Sequence, residues 1–200
     1  MEKEALIIFA KNPMIGKVKT RLAVKMGEEK ALDVYLQLLA VVHSYTSKLA
    51  VKKFVFWDGG IPSNNVFNEK EFINKNQAVG DLGLKMKCAF EEVLASYPFV
   101  CIIGTDCAEL DENLLSAAFS ALQSREIVIG PAVDGGYYLL GMKNLIPNLF
   151  QDIPWSTNSV FEQTLQKIKQ KNLSHHLLPE LNDVDTYSDY LKMKDKKFIQ

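Results

Sequence analysis

The sequence lacks most features that would assign it to a specialised class. Its three cysteines, Cys88, Cys101 and Cys107, form no Cys-x-x-Cys pair, so neither a disulfide framework nor a zinc ribbon is implied. No apolar run approaches the roughly 20 residues that a membrane-spanning helix needs. Charge of one sign is also missing. With 23 Lys+Arg against 24 Asp+Glu the formal charge is −1, which supplies no field for non-specific binding of nucleic acid or of an acidic membrane. The opening Met-Glu-Lys-Glu has no basic region or small-residue cleavage site, so a cytoplasmic chain without a signal peptide is expected. Histidine is scarce. His43 falls within a helical pattern, and His175 and His176 would face opposite ways in an extended chain, which argues against a joint metal pair. There is no Gly-x-Gly-x-x-Gly, and Gly16-Lys17 is not a Walker A loop, because Lys11 and Val18 stand where Gly and Ser or Thr are required.

What remains is an ordinary globular composition, 48% apolar and 24% charged over 200 residues. A single domain over residues 1–200 is expected, large enough to bury about 70% of its unfolded surface. Short β-branched or aromatic runs read as buried strands: Ala5–Ala10, Lys53–Trp57, Phe99–Ile103, Ile127–Ile129, Tyr137–Leu140 and a short one at His176–Leu178. Between them, apolar residues at three- and four-residue steps predict helices over Glu28–Leu49, Asp81 to just before Pro98, Asp111–Gln123 and Thr157–Lys171. Another follows Asp183-Val184-Asp185-Thr186 and runs to about Lys194, and the tail after it is expected to fray. Residues 61–76 are polar and aperiodic and read as loop. Alternating strands and helices predict a three-layer α/β/α domain with a mostly parallel mixed sheet. Hairpin-like signals at 127–141 suggest one antiparallel strand.

In open α/β sheets ligands bind beyond the carboxyl ends of the strands. Four loops there are chemically loaded. Lys11, Lys17, Lys19 and Arg21 crowd the loop after the first strand, where Gly16 permits a tight turn. Such a loop suits phosphate, or is a solvated basic surface. Gly104-Thr105-Asp106 ends the third strand, and Asp106 could ligate Mg²⁺ or Mn²⁺ or serve a helix cap. Asp134-Gly135-Gly136-Tyr137-Tyr138 lets backbone approach a ligand with rings alongside, or is a plain Asp-Gly hairpin turn. Asp183 and Asp185 would face one side of an extended segment and could complete a metal site, although a helix-capping role is expected for at least one of them.

Taken together, these motifs resemble the DUF2064 glycosyltransferase-like family of the nucleotide-diphospho-sugar transferase (GT-A-like) superfamily. Family members carry a first-loop pattern like AKxPxxGxVKTRL, and residues 10–22 here read AKNPMIGKVKTRL. Gln77 with Gly80-Asp81-Leu82-Gly83, GTDC at 104–107, GPAxDGGYYLLG at 130–141, WST at 155–157 and DVDT at 183–186 extend the match over nearly the whole chain. The pattern departs at Ala108, where many members have proline, and Asp106 lacks the second acid of an Asp-x-Asp.

The resemblance implies a transferase using a nucleotide-diphospho-sugar donor and a small-molecule acceptor, with Mg²⁺ or Mn²⁺. Lys11, Lys19 and Arg21 would contact phosphates, with Gly16 allowing close approach. Gln77, Asp81 and Gly83 would border the base or ribose, and Thr105 would also lie on the nucleotide. Asp106, with Asp183 or Asp185, would hold the metal. Asp134, Gly135, Gly136, Tyr137 and Trp155 would face the sugar or acceptor. Asp134 is the expected proton acceptor, and Lys19 and Arg21 would stabilise charge on the leaving phosphate. A nucleotidyltransferase joining an NTP to a phosphorylated small molecule, and a non-catalytic nucleotide-binding module, are the alternatives.

Overall fold

Apolar alternation along the first strand sets the architecture. In β1 (Glu4–Lys11), Leu6 and Ile8 point to one face of the sheet and Ala5 and Ile7 to the other, and all four are fully buried. The computed structural model describes residues 3–67, 70–196 and 198. Outside them lie the first two residues, part of the expected 61–76 loop and most of the expected fraying tail. Around β1 a seven-stranded sheet forms from β2 (Lys52–Asp58), β3 (Phe72–Asn76), β4 (Phe99–Ile103), β5 (Ile127–Pro131), β6 (Tyr137–Met142) and β7 (His175–Leu177). The order is β3-β2-β1-β4-β6-β5-β7. Only β6 pairs antiparallel with its neighbours, β4 and β5.

Helices cover both faces. On one, α2 (Glu28–Thr46) and α4 (Glu112–Ser124) bring Tyr35, Leu39, Val42, Leu115 and Leu122 onto Leu6, Ile8, Val55 and Ile103. On the other, α3 (Leu82–Leu94) and α5 (Val160–Gln170) bury Met86, Phe90 and Ile168 against Ile7, Phe56, Ile102 and Leu140. Truncating any of these fully buried aliphatics to Ala would cost about 2–5 kcal/mol. The expected three-layer α/β/α fold with a mostly parallel mixed sheet is therefore the fold observed.

Several local expectations are corrected. The basic loop ends at Lys19, because residues from Thr20 form α1 (Thr20–Met26). Seven residues make a marginal helix on their own. This one is held by Leu22, which packs with Val34, Leu38, Val184 and Met193 in a small cluster between α1, α2 and α6 (Tyr187–Asp195). Residues 72–76 are not loop but the edge strand β3, in which Phe72 alone is buried. Asn74 is half-buried there, accepting from Trp57 Nε1 at 2.7 Å and donating to the Phe67 carbonyl at 3.0 Å. Helix α5 begins three residues later than expected, since Thr157 Oγ1 donates to the Pro154 carbonyl at 2.7 Å instead of capping the helix. Neither Asp183 nor Asp185 caps α6. Thr186 does, in a reciprocal capping box with Asp189.

Candidate active site

Strand direction decides what meets at the carboxyl edge. The parallel strands β1, β2 and β4 end there with Lys11, Asp58 and the Gly104-Thr105-Asp106 turn. Antiparallel β6 starts at the same edge, which carries Asp134-Gly135-Gly136 and Tyr137 to it. Beyond β7 the chain returns alongside β5, where Leu181 N donates to the Pro131 carbonyl at 3.1 Å. Asn182 is then fixed to Glu109 through its backbone N–H (2.8 Å) and its side-chain amide (3.1 Å). Val184 N donates to the Asp106 carbonyl at 2.9 Å. That bond fixes the segment carrying Asp183 and Asp185, the two neighbours of Val184, against Asp106.

These segments enclose a cavity of about 750 Å³ lined by the cations Lys11, Lys19, Arg21 and Lys85 and by the carboxylates Asp58, Asp106, Asp134, Asp183 and Asp185. Lys19 is central. Its side chain is 4% exposed, with Nζ 2.8 Å from Asp106 Oδ1 and 3.2 Å from Asp185 Oδ1. Its backbone adopts a left-handed φ of 48°, which costs a non-glycine residue about 1–2 kcal/mol. Burial acts to discharge the ammonium, but Asp106 and Asp185 outweigh it and hold its pKa above the usual lysine value. Arg21 is 73% exposed, with Nη1 3.9 Å from Asp185 Oδ2.

Asp183 behaves differently. Burial, and then repulsion from the Asp106 and Asp134 carboxylates, push its pKa up to about 8, with Lys19 only partly opposing them. Asp134 is exposed at the cavity wall, and its Oδ1 accepts from Gly136 N at 2.9 Å. Tyr35, on α2, accepts from Lys11 N at 2.7 Å and donates to the Lys11 carbonyl at 3.0 Å. It also bonds Thr105, and burial raises its own pKa.

Of the residues predicted from sequence, Lys11, Lys19, Arg21, Gln77, Thr105, Asp106, Asp134, Gly136, Tyr137, Trp155, Asp183 and Asp185 line this cavity. Gln77 does so with its Nε2 donating to the Phe56 carbonyl at 3.0 Å. Four others support the wall from outside. Asp81 caps α3 by accepting from Leu84 N. Gly83 leaves room for the Trp155 indole, because a Cβ there would overlap the indole Nε1. Trp155 Nε1 is buried without a protein partner. Gly135, at φ 89°, lies against the Asn158 carbonyl, while Gly16, at φ 73°, faces the Glu28 carboxylate rather than the cavity.

Asp58, Lys85 and Tyr35 were missed. Asp58 and Lys85 form an ion pair at 2.8 Å. The position of Asp58 at the end of a buried strand was the available signal. Among the described residues no three acidic, His or Cys side chains are arranged to hold a metal, since Lys19 Nζ lies between Asp106 and Asp185.

This strand order, with an acidic and basic cavity at the carboxyl edge, defines a fold of the nucleotide-diphospho-sugar transferase kind. The chain belongs to the family described as an uncharacterized protein conserved in bacteria (DUF2064), whose model matches residues 41–157. A Desulfovibrio desulfuricans protein, provisionally described as a nucleotide-diphospho-sugar transferase, is 30% identical. It superposes with a TM-score of 0.88 over 98% of this chain and 88% of that one. A nucleotidyl transferase from Methanothermobacter shares the fold at 13% identity, with a TM-score of 0.64 over 98% of both chains. So does Rv0371c of Mycobacterium tuberculosis, solved in complex with manganese, at 12% identity and a TM-score of 0.56 over 97% and 98% of the chains. Among functionally curated proteins none is similar to this chain. No helix among the described residues is long and apolar enough to cross a membrane.

Proposed function

We propose that this protein transfers a glycosyl group from a nucleotide-diphospho-sugar to a small-molecule acceptor. The observation that carries the reading is the convergence of Lys19, Arg21, Asp106, Asp183 and Asp185 in one cavity at the carboxyl edge of the sheet. The description of the 30%-identical Desulfovibrio protein supports the same class. Breaking the bond between sugar and diphosphate leaves negative charge on phosphate oxygens. Fixed cations at that place stabilise the transition state more than the ground state. Lys19 is held ready by two carboxylates, and Arg21 can swing from Asp185 to a phosphate because its side chain is mostly in solvent. Asp134 spends Oδ1 on Gly136 N, and its Oδ2 is the atom to accept the acceptor hydroxyl's proton.

The chemistry of three carboxylates suits a divalent cation once Lys19 Nζ has left the space between Asp106 and Asp185. Asp106, Asp183 and Asp185 are hard oxygen ligands, and burial and then the neighbouring carboxylates push the Asp183 carboxyl up to about 8, a repulsion that a bound cation would relieve. These three would hold Mg²⁺ or Mn²⁺, which when bound would neutralise charge on the departing diphosphate. Lys19 Nζ would then move from between Asp106 and Asp185 onto a phosphate.

The second reading is nucleotidyl transfer from an NTP to a phosphorylated small molecule. Four cations in one cavity suit a triphosphate as well as a diphosphate. A thermal-shift panel of nucleotide sugars, NDPs and NTPs, each with and without Mg²⁺ or Mn²⁺, tests both readings. A metal-dependent shift with one nucleotide sugar, lost in Asp106→Asn, is expected. A shift confined to an NTP, with pyrophosphate released on turnover, would favour nucleotidyl transfer. Binding without any turnover would leave a nucleotide-binding module.

A further inference from the structure

A second concavity, of about 570 Å³, lies outside the cavity described above, between α1 and α6. Its walls are Arg21, Val24 and Lys25 from α1 and Thr186, Tyr187, Ser188 and Leu191 from α6. The spacing explains the shape. Positions i, i+3 and i+4 put Arg21, Val24 and Lys25 on one face of α1, and i, i+4 puts Tyr187 and Leu191 on one face of α6. Leu22 and Met193 turn instead into the buried cluster that holds the two helices together, and Tyr190 joins that cluster while stacking on Tyr187. Apolar side chains are therefore turned outward without need of folding. Val24 is 82% exposed, and Tyr187 and Leu191 are also exposed.

Two features connect this groove to the transfer site. Arg21 lines both spaces, and Thr186 follows directly on Asp185. The groove's own lining contains the cations Arg21 and Lys25 and no carboxylate, with Arg21 shared with Asp185 at 3.9 Å. An apolar floor with two cations, one of them the Arg21 shared with the first cavity, matches an amphiphilic anion whose head lies at Arg21. We propose that the groove between α1 and α6 binds the apolar part of an anionic acceptor, so that the acceptor is a hydroxyl-bearing alkyl, prenyl or aryl phosphate or carboxylate. This rests on the transferase reading given above. Under it, Arg21, which lines both spaces, lies between the acceptor's anionic head and the donor's diphosphate, and Lys19 serves the diphosphate alone.

The test is a chain-length series. Inorganic phosphate, butyl phosphate and octyl phosphate, the last below its micelle-forming concentration, are titrated into the full chain by calorimetry. Each buried methylene is expected to tighten binding by up to about fourfold, so octyl phosphate should bind at least about tenfold more tightly than inorganic phosphate. Val24→Asp and Leu191→Ser should each lose most of that gain while circular dichroism and the nucleotide panel stay unchanged. Equal affinity for octyl and inorganic phosphate would overturn the proposal, as would a chain-length gain that survives both variants. Binding only to vesicles containing anionic lipid would make the face a membrane contact and overturn it too. Conversion of a dimer to a monomer by Val24→Asp would assign the groove to a second copy and likewise overturn it. A full chain-length gain without any response to nucleotides would leave the groove standing as a site for amphiphilic anions and remove the transferase reading instead.

Discussion

Asp183→Asn should make the metal-free protein more stable in alkaline buffer. The Asp183 carboxyl titrates near 3.8 in an unfolded chain and at about 8 in the folded one. A raised folded-state pKa adds stability that is complete below about pH 4 and is lost as pH climbs through about 8. Above pH 8 the folded protein must carry the charge that burial, Asp106 and Asp134 disfavour. At about 1.4 kcal/mol per pKa unit the full effect approaches 6 kcal/mol. Relaxation and solvent penetration cut such penalties in proteins to a few kcal/mol, here about 2–3 kcal/mol. For a chain of this length that corresponds to a Tm difference of about 5–10 °C. Thermal melts from pH 5 to pH 9 in chelator are the assay. The wild type is expected to lose stability across that range, and Asp183→Asn to lose less by about this amount. Adding Mg²⁺ or Mn²⁺ at pH 9 should restore the wild type and not the variant, because a cation bound by Asp183 relieves the same repulsion. Parallel stability curves for the two proteins would refute the reasoning.

Two further predictions concern single side chains. Lys19→Met removes the buried cation shared by Asp106 and Asp185, and it is expected to lower kcat for transfer by about 10²–10³-fold with circular dichroism unchanged. Gly135→Ala places a Cβ against the Asn158 carbonyl at a backbone φ of 89°. Urea denaturation should show a loss of about 2–4 kcal/mol, combining left-handed strain with overpacking.

How legible each part was depended on which force placed it. Strand β4 coincides with the run FVCII because a strand covered on both faces is a continuous apolar segment, and such runs are visible in sequence. Strand β3, FINKN, was invisible for the opposite reason. As an edge strand it buries Phe72 alone and uses Asn74 for side-chain hydrogen bonds, so its pattern is that of a polar loop. Helix α1 is too short to display two turns of periodicity, and tertiary packing of Leu22 makes it a helix. At the site, the loaded loops could be found because position beyond a strand end restricts where ligands bind. The ion pair between Asp58 and Lys85 could not, since it joins a strand end to the first turns of a helix 27 residues away. Tyr35 has helical core spacing, and that signal conceals the hydroxyl it sends to Lys11 and Thr105.

The Val184–Asp106 hydrogen bond also orders events in time. Strands β1, β2, β3 and β4 form a contiguous block within the first 103 residues, and this block can pair while the remainder is still being made. Asp106 emerges from the ribosome soon after that block, whereas Asp185 follows roughly 80 residues later. At about 5–20 residues per second that interval lasts about 4–16 s. During it, Lys19 has one carboxylate instead of two, and the return segment that brings Asp183 does not yet exist. A nascent chain can therefore own most of its sheet before it owns a complete set of charges. The cavity's full set of charges is completed late in translation, with the residues that follow β7.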